Sequence, residues 1–243
     1  MKNRVGLGTF PLANVFNPIT PVEAENVVRA FIDQGGYYID TAPRYGNGEI
    51  ETLLGRALHG VPRENYYLAT KTVQHVNGDG TSFKSGRYDD VVRQIDNSLR
   101  RLNVEYVDLL MVHSPDGVPI EETLRAMVEL KKQGKAKELA VSNVNLAELQ
   151  AYNRSGDIRY IQNRFSTINR SLSPEFEKYL LDTKIHLIPY HVLEIGLLTR
   201  IAFENHTLRE GDLRGKLSYW NAENQNVIFE WVTDVTQKLD IMT

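Results

Sequence analysis

The sequence predicts an α/β protein of the (β/α)8 TIM-type barrel class, one βα unit short of complete, and three observations predict it. Short apolar runs alternate with amphipathic helical stretches along the chain, which is the rhythm of βαβ units. Strands such as DLLMVH are apolar on both faces, as in a parallel sheet with helices outside and packed side chains inside. The length of 243 residues suits one closed α/β barrel better than a two-layer domain, so a single barrel domain over 1–243 is expected.

Taken in order, the strand candidates are residues 5–9, 37–41, 67–71, 108–113, 138–142, 160–163 and 186–190, seven in all. Helical patterns at 21–34, 49–58, 88–102, 119–133, 146–155 and 174–183 bridge them, and a last one at 222–239 follows. Thr20-Pro21 and Ser173-Pro174 each place a hydroxyl N-cap before a proline at the first helical position. The hydroxyl satisfies free amides and the proline pre-sets φ. Two stretches break the rhythm: 72–90 after the third strand and 197–221 after the seventh, both long and polar. Long loops on one end of a rigid scaffold carry function. No eighth strand follows the last helix, so the eighth strand and its helix are expected to be missing and the barrel open between strands 7 and 1. Unpaired edges of that kind need a cover, here the 222–239 helix or a second subunit in a homo-oligomer.

Composition narrows the function classes. A formal charge of -3 with acids and bases interspersed offers no footprint for a phosphate backbone, so nucleic acid is not an expected partner. The absence of cysteine excludes disulfides, thiolate metal sites and cysteine nucleophiles, and no metal site is expected. No window approaches the ~20 apolar residues of a membrane span and the start lacks a signal-peptide core, so a cytoplasmic location is expected.

In a parallel barrel the active site lies at the carboxyl ends of the strands. There the chain places Asp40 with Tyr45 just beyond, then Lys71, His113, Ser142-Asn143, Gln162-Asn163 and Tyr190-His191. Each residue alone has an ordinary reading as a solvated charge, a hydrogen-bonded core group or a helix cap. Four ionisable groups on adjacent strands are another matter, because burying them without a task is costly. An ammonium beside a phenol favours the phenolate, so Lys71 is expected to lower the pKa of Tyr45, with Asp40 holding Lys71 charged and aimed. His113 can hydrogen-bond a carbonyl oxygen. Such a site reduces or oxidises C=O, and since no side chain supplies hydride a nicotinamide cofactor is implied. Ser142, Asn143 and Gln162 offer what a carboxamide needs, and Tyr190 a ring face for stacking.

The segments GLGTF, YIDTAPRYGNGEIETLLGRAL, LATKT, SLRRLNVEYVDLLMVH, GKAKELAVSN, IQNRFS and IPYHVLEIGLLT resemble, in order and spacing, the aldo-keto reductase family from residue 5 to about 199. The stretch REGDLRGKLSYWNAENQNV is similar to bacterial members acting on sugars and general aldehydes. The resemblance implies that Asp40, Tyr45, Lys71 and His113 are the catalytic tetrad, with Tyr45 the general acid or base. It implies that Ser142, Asn143, Gln162, Tyr190, His191 and Leu193 contact the cofactor, and that Phe10 and Ser114 line the substrate pocket. NADPH is implied more often than NADH, with a small carbonyl or alcohol, sugar-like in character, as substrate.

Three departures qualify the resemblance. Only four residues precede the first strand, where the family begins with a hairpin that closes the barrel bottom. The family's eighth strand and following helix carry the residues that hold the adenosine and its 2'-phosphate, and this chain stops before them, so a weakened hold on NADPH is expected. After the seventh strand, Tyr190-His191-Val192-Leu193-Glu194 stands where the family reads Tyr-Ser-Pro-Leu. There Glu194 is expected to repel a pyrophosphate, with His191 either a compensating cation or a neutral hydrogen-bonded residue. An acid/base enzyme without redox chemistry (a lyase, dehydratase or isomerase) and a non-catalytic shortened homologue are the alternatives.

Overall fold

The computed structural model describes residues 5–115, 117, 120–199 and 208–238. Thr20 starts the first helix as its sequence requires. Its hydroxyl accepts from the Glu23 N–H at 3.3 Å while the Glu23 carboxylate accepts from the Thr20 N–H at 2.8 Å, a reciprocal cap that satisfies two orphan donors. The helices are α1 (Pro21–Asp33), α2 (Glu49–Ala57), α3 (Tyr88–Leu102), α4 (Ile120–Lys132), α5 (Leu146–Tyr152), α6 (Pro174–Thr183) and α7 (Ala222–Lys238). Leu239, the expected end of the last helix, and Pro119, the expected start of α4, lie outside the described residues. Helix α5 stops short of the expected 155 because Asn153 turns the chain, its side-chain oxygen accepting from the Ile158 N–H at 3.2 Å.

The strands are β1 (Leu7–Gly8), β2 (Tyr38–Asp40), β3 (Tyr67–Thr72), β4 (Gln74–Val76), β5 (Ser82–Lys84), β6 (Val107–Val112), β7 (Ala136–Ser142), β8 (Ile158–Arg164) and β9 (His186–Tyr190). Seven of them form one sheet in the order β1-β2-β3-β6-β7-β8-β9, and each pair from β1 to β8 is parallel. No eighth strand joins that sheet among the described residues. Strand β1 is shorter than the expected 5–9, because Thr9 leaves the extended region (φ -90°, ψ -1°) to begin a turn at Phe10. The two remaining strands correct the expected loop at 72–90: β4 and β5 form an antiparallel hairpin in its middle. Its turn closes through Asn77 N–H to Thr81 carbonyl at 2.8 Å, the geometry that an Asn-Gly-Asp-Gly run favours.

Contacts divide the chain into two compact units. One comprises Met1–Asn14, Ile19–Asn163 and Pro174–Ile188, the other Val15–Pro18, Arg164–Ser173 and Pro189–Thr243. In the first, Ala69, Leu109, Met111 and Ala140 form a buried cluster with Tyr38, Tyr67, Tyr160 and Ile188 packed on it. Strand β3 is pinned from its other face. The fully buried carboxylate of Glu51 on α2 accepts from the Thr70 hydroxyl at 2.6 Å and from the Arg101 guanidinium at 2.6 and 2.8 Å. The second unit has a smaller core in which Leu197 and Trp220 are covered by Leu208, Leu217, Tyr219 and Ile228.

One turn after Glu51, Gly55 lets α2 and α3 meet, since a Cβ there would lie 2.5 Å from the Arg101 carbonyl oxygen. Backbone cannot swing aside as a side chain can. Gly55→Ala is therefore expected to destabilise the fold by about 1–3 kcal/mol, read as a melting temperature lower by about 2–4 °C per kcal/mol.

Candidate active site

Strand register delivers the site. Asp40 ends β2, Lys71 lies near the end of β3, and His113 follows β6, with its N–H donating to the Thr72 carbonyl at 3.1 Å. Thr9 anchors the Asp40 backbone, donating to its carbonyl from both N–H (3.0 Å) and hydroxyl (2.9 Å). The Lys71 ammonium is 1 % exposed and spends its three protons on Asp40 Oδ1 at 2.6 Å, the Thr41 carbonyl at 3.0 Å and Tyr45 Oη at 3.1 Å. Tyr45 is aimed by a turn with left-handed backbone at Gly46 (φ 57°), Asn47 (φ 54°) and Gly48 (φ 90°), which glycine and asparagine tolerate. Its ring contacts Phe10 at 5.1 Å and stands edge-on to His113 at 6.0 Å. All these residues belong to the first unit.

Electrostatics sharpen the expected roles. Burial raises the Tyr45 pKa above its ordinary 10, and the attraction of Lys71, although it acts in the expected lowering direction, does not overcome it. Burial is the largest influence, and the Asp40 charge, which also opposes the phenolate, adds to it. Tyr45 thus holds its proton near neutral pH. The Lys71 pKa is raised: burial disfavours its charge, but Asp40 and Tyr45 favour it more. The imidazole of His113 falls to about 3, driven first by burial and then by the charges of Lys71, Arg44 and Lys84. It is a neutral hydrogen-bonding group whose buried Nδ1 has no partner.

Gln162, at the end region of β8, does something that its residue type did not announce. Its amide donates to the second Asp40 oxygen at 2.9 Å, so Asp40 is held by Lys71 on one oxygen and Gln162 on the other. Ser142 donates to the Gln162 carbonyl at 2.8 Å. Asn143, in left-handed backbone (φ 58°), donates from its amide to the His113 carbonyl at 2.9 Å and to Ser142 Oγ at 3.0 Å. Ser114 accepts from the Gln74 amide at 2.9 Å, and Gln74 in turn accepts from Arg44 at 3.3 Å. Arg44 lies in the YIDTAPRYGNG segment and Gln74 in the 72–90 stretch, but neither is among the residues expected in the site.

Tyr190, His191 and Leu193 belong to the second unit. There the Tyr190 and His191 rings meet edge-on at 4.7 Å, and Leu193 is 55 % exposed. Burial first and Arg164 second lower the His191 pKa below 6.5, which makes it the neutral residue rather than a cation. Glu194 does not present a bare charge as expected. Its fully buried carboxylate pairs with Arg164 and accepts from Ser166 Oγ at 2.5 Å. Among the described residues no group of three or more His, Cys, Asp or Glu is placed to hold a metal ion, and no helix is long and apolar enough to cross a membrane.

A phenol, an ammonium, a carboxylate and a neutral imidazole thus come together at the carboxyl ends of β2, β3 and β6, the end of an α/β barrel where active sites lie. The chain belongs to the aldo/keto reductase family, whose model matches residues 4–239. It is 34 % identical over 215 residues to the aldo-keto reductase YhdN of Bacillus subtilis (strain 168), covering 87 % of this chain and 65 % of that one. The chain spans less than two thirds of the length of the curated relatives it matches here. Among solved structures it is similar to the glycerol dehydrogenase AKR11B4 from Gluconobacter oxydans (TM-score 0.86, 27 % identity, 98 % of this chain and 76 % of that one). It is also similar to an aldo/keto reductase from Klebsiella pneumoniae solved with NADP and acetate (TM-score 0.69, 26 % identity, 82 % of this chain and 68 % of that one).

Two outcomes are expected from this geometry. Gln162→Ala strips a hydrogen bond from a buried carboxylate and should lower stability by about 1.5–3 kcal/mol, read from the urea midpoint. Because the folded His113 pKa lies near 3, below the ordinary 6.5, the unfolded chain binds a proton that the folded chain refuses. Its stabilising share is whole above pH 6.5 and is lost as pH falls toward 3. Urea melts at pH 7 and pH 5 should show that loss, and His113→Gln should reduce it; an imidazole signal titrating near 6.5 by NMR would contradict the burial.

Proposed function

We propose that the chain is an NADPH-dependent carbonyl reductase, running in reverse as an alcohol dehydrogenase, with Tyr45 as the proton donor to the carbonyl oxygen. The observation that carries this reading is the hydrogen-bonded chain from Asp40 through Lys71 to a protonated Tyr45 beside a neutral His113. Bound NADPH supplies the hydride that no side chain can. In this reading Ser142, Asn143 and Gln162 hold its carboxamide, and their clustering with Asp40 and His113 in the first unit fits that task. His113 donates a hydrogen bond to the substrate carbonyl and fixes its orientation. Tyr45 then gives its proton to the developing alkoxide, and Lys71, already bonded to the phenol oxygen, stabilises the phenolate left behind. Phe10, in ring contact with Tyr45, and Ser114, next to His113, line the substrate side. The substrate is a small polar carbonyl compound of the sugar type, for which the polar 72–90 segment is the support.

Titration with NADPH, with NADH as comparison, read from Trp220 and Trp231 quenching, should report saturable binding. Tyr45→Phe should lower aldehyde reduction by about 10²–10⁴-fold while nucleotide quenching persists. No quenching at millimolar NADPH, combined with turnover of a hydroxy compound without nucleotide, would replace this reading by the redox-neutral one.

A further inference from the structure

The rim of the first unit around Tyr45 and His113 carries two exposed cations, Arg44 and Lys84. Arg44 immediately precedes Tyr45 and is exposed, and its guanidinium donates to the neutral side chain of Gln74 at 3.3 Å. Gln74, on β4, reaches across to Ser114 immediately after His113 at 2.9 Å, and its own carbonyl accepts from Gln94 at 2.6 Å. The guanidinium is therefore tethered between the residues that flank the phenol and the imidazole. Lys84, on β5, is exposed and donates to the Pro115 carbonyl at 3.4 Å, two residues after His113. Neither cation forms an ion pair among the described residues.

Among the described residues most of the nearby carboxylates are engaged elsewhere, the exception being Glu49 on α2, whose Oε2 would lie 3.7 Å from a Cβ on Gly46. Asp79 accepts from Thr81 within the hairpin turn, Asp90 accepts from Ser85 and pairs with Arg93, Glu122 accepts from the Tyr88 N–H, and Asp40 is taken by Lys71 and Gln162. The charges of both Arg44 and Lys84 are felt at the His113 ring. The hairpin that carries Lys84 is also fixed in place. Val73, fully buried, takes a left-handed φ of 82° to launch it, with its N–H donating to Gln94 at 2.9 Å and its carbonyl accepting from Ser85 at 2.9 Å. A β-branched residue holds such a conformation only where its surroundings impose it.

We propose that Arg44 and Lys84 form an anion subsite beside the Tyr45–His113 pair, so that the chain acts on carbonyl compounds that also carry a carboxylate or phosphate group. The inference rests on the carbonyl reductase reading and deepens its substrate class. A guanidinium presents a planar fork that matches either anion, and the ammonium adds a second donor from the other wall. The exposed setting makes the attraction salt-dependent.

The test compares kcat/KM for 4-oxobutanoate against butanal and for glyceraldehyde 3-phosphate against glyceraldehyde, with NADPH, in the wild-type chain and in Arg44→Gln, Lys84→Gln and the double variant. The anionic member of at least one pair should be preferred, and which pair shows it separates carboxylate from phosphate. The anionic-to-neutral ratio should fall about ten- to hundredfold in the double variant, and the wild-type ratio should shrink as ionic strength rises from about 0.02 M to about 0.5 M. Neutral and anionic substrates turned over alike, or a ratio untouched by the substitutions, would overturn the subsite while leaving the reductase reading standing. No turnover of any of the four would count against the reductase reading instead. Saturation-transfer NMR with butanoate, phosphate and butanamide then decides the subsite alone: binding of an anion but not the amide, lost in the double variant, supports it, and equal or absent binding refutes it.

Discussion

The buried ion pair between Lys71 and Asp40 is the constraint around which the first unit is organised. An ammonium with 1 % exposure is tolerated only if all three protons find acceptors, and here a carboxylate, a backbone carbonyl and a phenol provide them. Each acceptor imposes a requirement on the fold. Asp40 and Thr41 must sit beside Lys71, which the parallel register of β2 and β3 ensures. The phenol must come back over the strand ends, which the left-handed turn at Gly46, Asn47 and Gly48 achieves. Asp40 must keep its charge, and Gln162 secures its second oxygen from β8. Losing either ionic partner would leave an uncompensated buried charge, worth about 3–5 kcal/mol.

Support for this pair continues outward. Thr70 and Thr72 flank Lys71 on the opposite face of β3, and both are hydrogen-bonded to helices: Thr70 to Glu51 on α2, Thr72 to Gln94 on α3. Gln94 also accepts from Val73 and donates to Gln74. One α3 side chain thus holds the end of β3 and the start of the hairpin. The same strand that places the ammonium also leads into the hairpin beside it, so the ion pair and the hairpin rest on a common scaffold.

The second unit solves a similar problem with different residues. Glu194 is fully buried after β9, within three successive residues of left-handed backbone, Glu194, Ile195 and Gly196. Arg164 neutralises it and the Ser166 hydroxyl donates a hydrogen bond to it, and the Arg164 guanidinium also lies over the Tyr219 ring at 4.8 Å. A residue that reads in sequence as a repulsive charge is in the fold a tie for its own segment.

Much of the architecture was legible in the chain, because strand and helix periods, proline-capped starts and strand-end polar residues are local properties that survive in any fold the chain adopts. The parallel strands, the helices among the described residues and the grouping of Asp40, Tyr45, Lys71 and His113 follow from them. The hairpin within 72–90 was visible in its Asn-Gly-Asp-Gly turn but masked by the short strands and polar faces around it. What the sequence could not contain is which distant groups share a proton or a charge. That Gln162 holds Asp40, Gln74 ties Arg44 to Ser114, and Arg164 neutralises Glu194 depends on spatial neighbours 30 to 122 residues apart. The direction of the Tyr45 pKa belongs to the same class: Lys71 argues for the phenolate from residue type alone, and only the degree of burial decides that the phenol keeps its proton.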